Sequence, residues 1–192
     1  MIGQFEITSR CEKSSARTGK LHTIHGVIKT PAFMPVGTKA TVKTMSSQDL
    51  EDLGYDVILG NTYHLNDRPG AELIASHGGL HNFMSWKKPI LTDSGGYQVF
   101  SLGQINKITD LGVNFRSHSD GKELFIGPHE SMKIQSLLGS DIAMVFDECP
   151  PYPSDKEYVY KAVCRTIEWA KECKKYDNLK NQLVFGIIQG GI

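Results

Sequence analysis

Pro89-Ile90-Leu91-Thr92-Asp93-Ser94-Gly95-Gly96-Tyr97 changes character within a few residues, from an apolar run to an acid, a hydroxyl, two glycines and an aromatic. An extended run that stops at an acid and turns through Gly95-Gly96 places Asp93 at the carboxyl end of a strand, with Tyr97 beside it. The pattern recurs along the chain. Ala32 to Val36, Asp56 to Asn61, Ile142 to Phe146 and Leu183 to Ile188 are apolar runs, the last three leading into Asn61, Asp147 and Gln189. Between the runs lie helical stretches: Ser46 to Gly54 with a serine cap and a glycine stop, Arg68 to Ser76 ended by His77-Gly78-Gly79, Pro128 to Leu138, and Asp155 to Tyr176. Strands alternating with helical crossovers indicate a parallel sheet, and near-continuous apolarity means both of its faces are covered. In an α/β (β/α)8 TIM barrel the polar strand ends Asn61, Asp93, Asp147 and Gln189 converge on one mouth. A doubly wound sheet for a dinucleotide requires a Gly-rich first turn, and the first strand here runs into Gly37-Thr38-Lys39-Ala40 instead.

Two segments fall outside this rhythm. Residues 1–30 read as an N-terminal β extension, and residues 104–126 as an inserted β-hairpin turning at Ser119-Asp120-Gly121. A closed barrel takes about 200 to 250 residues or more. This chain has 192 and stops just after its fifth strand, so the expectation is a single, incomplete barrel domain over 1–192, with about five of eight strands, forming the N-terminal part of a longer protein.

Hydrophobic residues make up 40% and charged residues 22%, a globular composition. Lysine plus arginine balance aspartate plus glutamate at 21 each, so net charge gives no support for a polyanion partner. Cys11, Cys149, Cys164 and Cys173 form no CxxC pair, and the start, Met1-Ile2-Gly3-Gln4-Phe5-Glu6, lacks the features of a signal peptide. Free thiols without a leader point to a reducing, cytoplasmic location. No apolar stretch approaches the roughly 20 residues of a membrane helix, so no membrane partner is expected.

Asp93, Asp147 and Gln189 dominate the chemistry. Guanine offers two donors, N1–H and N2–H, and one acceptor, O6, on its Watson–Crick edge. A carboxylate accepts both donors as a fork and an amide NH2 donates to O6, so an Asp with a Gln makes a guanine reader. Tyr97 offers a stacking face, the glycines admit close backbone approach, and Asp93 is left free as a general acid or base near a glycosidic bond. Two acids on neighbouring strand ends are equally the layout for glycoside hydrolysis.

Five segments, Phe33 to Thr38, Gly60 to Leu65, Asp93 to Gln98, Phe146 to Cys149 and Gly186 to Gly191, together closely resemble the tRNA-guanine transglycosylase (queuine tRNA-ribosyltransferase) family. The resemblance covers essentially the whole chain in order and spacing. It implies a zinc-containing barrel enzyme that exchanges guanine at the wobble position of a tRNA with a GUN anticodon for a 7-deazapurine base in queuosine biosynthesis. Cys149 after Asp147-Glu148 resembles the bacterial form, which uses 7-aminomethyl-7-deazaguanine. By resemblance Asp93 is the general acid/base, Asp147 binds the purine, Gln189 contacts its O6 and Tyr97 stacks on it. Asp93, Ser94, Gly95, Gly96, Tyr97, Asp147 and Gln189 then form the substrate-binding set, and Val36, Leu59 and Asn61 line the ribose pocket. The full-length family is expected to be a homodimer. Its nucleophilic aspartate and its zinc ligands, three cysteines and a histidine, lie beyond Ile192, so this chain is expected to hold no metal and to show no turnover alone.

Two other readings remain open: a non-catalytic paralogue or partner subunit that binds base or tRNA, and a barrel glycoside hydrolase using Asp93 and Asp147. The hydrolase requires sugar-stacking tryptophans at the mouth, and only Trp86 and Trp169 are available. The pairs His77/His81 and His22/His25 read as surface residues, the first because Gly78-Gly79 breaks a helix and the second because an odd offset splits them across a strand. Cys164 and Cys173 point to different sides of one helix, and Trp169 reads as core.

Overall fold

The computed structural model describes residues 1–102, 104–117, 121–176, 179 and 181–190. The chain opens with an antiparallel sheet of β1 (Phe5–Arg10), β2 (Arg17–Thr23) and β3 (Gly26–Thr30), the expected N-terminal extension. The parallel sheet then begins with β4 (Val36–Gly37), a shorter strand than Ala32 to Val36 suggested. Pro35 lacks an N–H for a ladder, although its carbonyl still accepts from Leu59 N at 2.9 Å. Helix α1 (Ser47–Asp52) starts where its serine predicted, with a reciprocal capping box between Ser46 and Asp49.

After β5 (Ile58–Gly60) the sequence reading of one helix over 68–76 gives way to two short helices, α2 (Thr62–Asp67) and α3 (Ala71–Ser76). Pro69 cannot continue α2, and Gly70, at φ 111, turns the chain into α3. The Gly78-Gly79 turn then feeds α4 (Leu80–Met84), which the sequence reading left out. Next come β6 (Ile90–Thr92) and α5 (Gly96–Leu102). The insertion is a three-stranded antiparallel sheet rather than a hairpin: β7 (Gln104–Thr109), β8 (Gly112–Arg116) and β9 (Glu123–Ile126). Its first turn is at Asp110-Leu111, and the expected turn at Ser119-Asp120-Gly121 lies largely outside the described residues. The rhythm resumes with α6 (Pro128–Leu138), β10 (Ile142–Met144), the long α7 (Lys156–Lys174) and β11 (Leu183–Phe185).

The five parallel strands lie in the order β4, β5, β6, β10, β11, so each adds beside its predecessor in the chain. Such a sheet has no point where the strand order reverses, the place where a doubly wound sheet holds its ligand. One core lies where the helices pack, around Leu65, Ile74, Leu80, Ile90, Met132, Phe146 and Trp169. A second joins Leu91, Ile142, Leu59, Met144 and Leu183 of the parallel strands to Leu21 and Ile28 of the N-terminal sheet. No helix among the described residues is long and apolar enough to cross a membrane.

Candidate active site

The carboxyl ends of β5, β6 and β10 bring the polar strand ends together. Val36 pairs with Leu59, and Leu59 with Leu91, so these side chains share one face of the sheet. Asn61 lies two residues beyond Leu59 and Asp93 two beyond Leu91, on that same face. Val36 is half exposed and Asn61 is buried. Although Asn61 is the N-cap residue of α2, its side chain makes no capping bond; its amide donates to Asp93 Oδ2 instead.

Asp93 is enclosed by donors. Oδ1 accepts from Thr62 N at 2.8 Å and Gly95 N at 3.1 Å, and Oδ2 accepts from the Asn61 amide and from Gln98 Nε2 at 3.2 Å. Burial nonetheless raises its carboxyl above the ordinary range, against the lowering by these donors. Gln98 is a contact the sequence reading quoted within a motif but assigned no role. Its position five residues after Asp93, within the first turn of α5, was the available signal.

Asp147 follows β10. Its Oδ1 accepts from Ser94 Oγ at 2.7 Å and its Oδ2 from the Gln189 amide. Burial raises this carboxyl too, and the nearby charge of Asp93 adds to the effect while Ser94 and Gln189 oppose it. Ser94 is fixed from behind, since its carbonyl accepts from Ser131 Oγ of α6 at 2.7 Å. A buried polar network continues from there through Gln135, which bonds Ser131, Thr92 and the backbone of Met144.

The two glycines have different reasons to be glycine. Gly95 sits at φ 79, where a side chain is strained, and turns the chain from Asp93 into α5. Gly96 is constrained by space: a Cβ there would lie 2.6 Å from the Asp147 carbonyl oxygen and 2.9 Å from Asp147 Oδ1. Gly96→Ala is therefore expected to force α5 and the Asp147 segment apart, costing about 1–3 kcal/mol. Thermal unfolding measures the loss, and an unchanged midpoint would contradict this packing. Tyr97, the next residue, is 63% exposed and borders a cleft of ≈ 560 Å³ whose walls include Phe100, Cys149, Pro151 and Tyr152.

Of the four histidines read as surface residues, His25 and His77 are exposed and His22 partly so, whereas the His81 side chain is only 10% exposed. His25 lies on the turn between β2 and β3, so the strand-face argument does not apply to it, and the Gly78-Gly79 turn returns His81 on α4 toward the sheet. Their rings stack at 3.6 Å, and both reach the wholly buried carboxylate of Asp141 just before β10. His25 Nδ1 is 3.0 Å from Oδ1 and His81 Nε2 3.0 Å from Oδ2. Backbone His25 N and Ile90 N complete the four acceptor positions, at 3.1 and 2.9 Å. The three side chains lie close enough to be tested as a metal site. They fit poorly, because the carboxylate is saturated and near-parallel rings cannot aim their in-plane lone pairs at one ion. Burial would raise the Asp141 carboxyl, but the His81 hydrogen bond, the Ile90 N–H and the imidazole charges outweigh it and bring it down to about 2. The cysteines do not form a thiolate site among the described residues: Cys11 and Cys164 are exposed, Cys149 is partly covered and Cys173 is buried in the core.

Against known proteins, residues 11–192 match the family Queuine tRNA-ribosyltransferase. The chain is 55% identical over 188 residues to a queuine tRNA-ribosyltransferase of Halalkalibacterium halodurans, covering 97% of this chain and 50% of that protein. It is 56% identical over 188 residues to one of Halothermothrix orenii, covering 98% and 50%. With one of Pelotomaculum thermopropionicum it shares 55% over 191 residues, covering 100% and 52%. The chain thus spans about half the length of the curated relatives it matches. Family match and relatives both run across the segment that carries Asp93, Asp147 and Gln189, and the chain belongs to the queuine tRNA-ribosyltransferase family.

Proposed function

We propose that this chain supplies the base-binding part of a tRNA-guanine transglycosylase site, at the mouth of what is a (β/α)8 barrel in the whole protein. The observation that carries the reading is the meeting of Asp93 and Asp147 with the amides of Asn61 and Gln189 at neighbouring ends of one parallel sheet. Asp147 accepts N1–H and N2–H of the purine. Gln189, whose amide donates to Asp147 Oδ2 without a ligand, turns over to O6 when the base takes that oxygen. Ser94, Gly95 and Gly96 shape the floor, and Tyr97 stacks on the base. Asp93, a carboxyl held above its ordinary range, takes and returns the proton of the exchange. Val36, Leu59 and Asn61 receive the ribose.

The wider assignment follows the family: a cytoplasmic, homodimeric enzyme acting on tRNA with a GUN anticodon. It installs 7-aminomethyl-7-deazaguanine, a choice supported by Cys149, and carries a zinc site and a nucleophilic aspartate outside this chain. The glycoside-hydrolase reading loses ground because Trp86 and Trp169 are both buried, leaving no tryptophan face for a sugar at the mouth. The test is calorimetric titration of the chain with guanine and with 7-aminomethyl-7-deazaguanine, beside incubation with labelled guanine and cognate tRNA. Saturable binding of both bases without incorporation is expected. A folded chain that binds neither base would refute the base pocket, and time-dependent incorporation would refute the dependence on a nucleophile from elsewhere.

A further inference from the structure

Glu148 is the acid next to Asp147, and it does not face the mouth. Its side chain is wholly buried. Oε1 accepts from the Tyr158 hydroxyl at 2.7 Å, Oε2 accepts from Arg165 Nη1, and its backbone N donates to Thr166 Oγ1 at 3.0 Å. All three partners stand on α7. The same helix holds the residue on the other side of Asp147, since Phe146 N donates to Cys173 Sγ at 3.3 Å and the Phe146 ring packs 5.0 Å from that of Trp169. Both neighbours of Asp147 are thus anchored to α7, while its own carboxylate is directed at Ser94 and Gln189.

Arg165 extends this anchorage to the inserted sheet. Its Nε, buried and without a hydrogen bond, lies 3.8 Å from Asp110 Oδ1 on the turn between β7 and β8. Trp169 Nε1 donates to the Asp110 carbonyl at 2.7 Å. One face of α7 therefore grips the segment carrying Asp147 and the turn of the insertion. A carboxylate enclosed by an arginine and a phenol cannot reach a base, but its loss leaves the partly covered Arg165 with only the exposed Asp110 carboxylate as an ion-pair partner among the described residues, and the 146–148 segment is what can shift.

We propose that Glu148 is the positioning residue for Asp147, fixing through Tyr158 and Arg165 the direction in which Asp147 presents its carboxylate to the base. The inference rests on the base-pocket reading of Asp147. Its test has one readout that needs no ligand, the carboxyl carbon-13 titration of Asp147 in the free protein, and one that does, the calorimetric Kd for guanine. The ionisable groups facing Asp147 are Asp93 at the end of β6, Cys149 on its own segment and Cys173 on α7, and none is altered by the variants.

In Glu148→Gln, Asp147 is expected to lose alignment with Ser94 and Gln189, so its titration midpoint moves up and guanine affinity falls about tenfold. The midpoint of Asp141, at the opposite end of the sheet, stays where it is. Tyr158→Phe, which removes one hydrogen bond, is expected to give a smaller change in the same direction, and it decides the matter if Glu148→Gln does not fold. An unmoved Asp147 midpoint in a folded variant overturns the proposal. Absence of guanine binding in the unaltered chain would instead refute the base pocket, with the free-protein titration still deciding the role of Glu148.

Discussion

Replacing Asp147 with asparagine is expected to weaken guanine binding by roughly a hundred- to a thousandfold. Asparagine keeps one acceptor and substitutes an NH2 for the other, so a donor meets a donor on the purine edge and one base N–H is left buried without a partner. The loss should depend on the ligand. Hypoxanthine lacks the N2 amino group, so the variant should lose much less affinity for it, and the preference for guanine over hypoxanthine should shrink. Calorimetry with both bases measures this, and equal losses would argue that Asp147 does not accept from N2–H. Proton competition gives a second signature. The Asp147 carboxyl is raised by burial and by the charge of Asp93, so guanine affinity should already fall at pH values above the ordinary carboxylate pKa of ~4.

Asp141→Ala is expected to cost about 3–5 kcal/mol of folding stability, the loss typical of removing one partner from a buried charged cluster. It strips four donors at once: two imidazoles and two backbone N–H groups. Part of the effect is linked to protons. A carboxyl at about 2 in the folded protein and near 4 in the unfolded one contributes roughly 2 kcal/mol. Because the folded value is depressed, this contribution is complete above pH ~4 and disappears as pH falls toward 2. Urea unfolding from pH 7 down to pH 3 should show the stability gap between parent and variant narrowing. A gap constant across that range would mean that Asp141 is not ionised in the folded chain.

The difference between these two acids marks how far the sequence could be read. Asp93, Asp147 and Gln189 stand out because each ends an apolar run, a pattern confined to neighbouring residues, and the parallel sheet follows from the same periodicity. Asp141 ends nothing. It stands just before β10, and its partners His25 and His81 are 116 and 60 residues away in the chain, a pairing that only the completed packing of the N-terminal sheet and α4 creates. Glu148 was visible only as part of the Asp147 motif, because its meaning depends on Tyr158, Arg165 and Thr166 standing on one face of a helix that the sequence predicted but could not orient. Helix α2 was missed because six residues between a strand and Pro69 give too short a window for helical periodicity. The third strand of the insertion was missed because a single turn signal suggested a two-stranded unit.

The pairing of Asp93 with Asp147 also has a directional consequence. Among the described residues no lysine or arginine forms an ion pair with either acid. Two unneutralised carboxylates make this end of the parallel sheet repellent to phosphate, by about 2 kcal/mol for a unit charge 8 Å away at an effective dielectric constant of 20. A polyanion can approach such an end favourably in only one attitude, with a nucleobase extended inward and its backbone held toward solvent. The field there would then act as a sorting device ahead of any hydrogen bond, admitting a free purine or an everted base and turning away a nucleotide that arrives phosphate first.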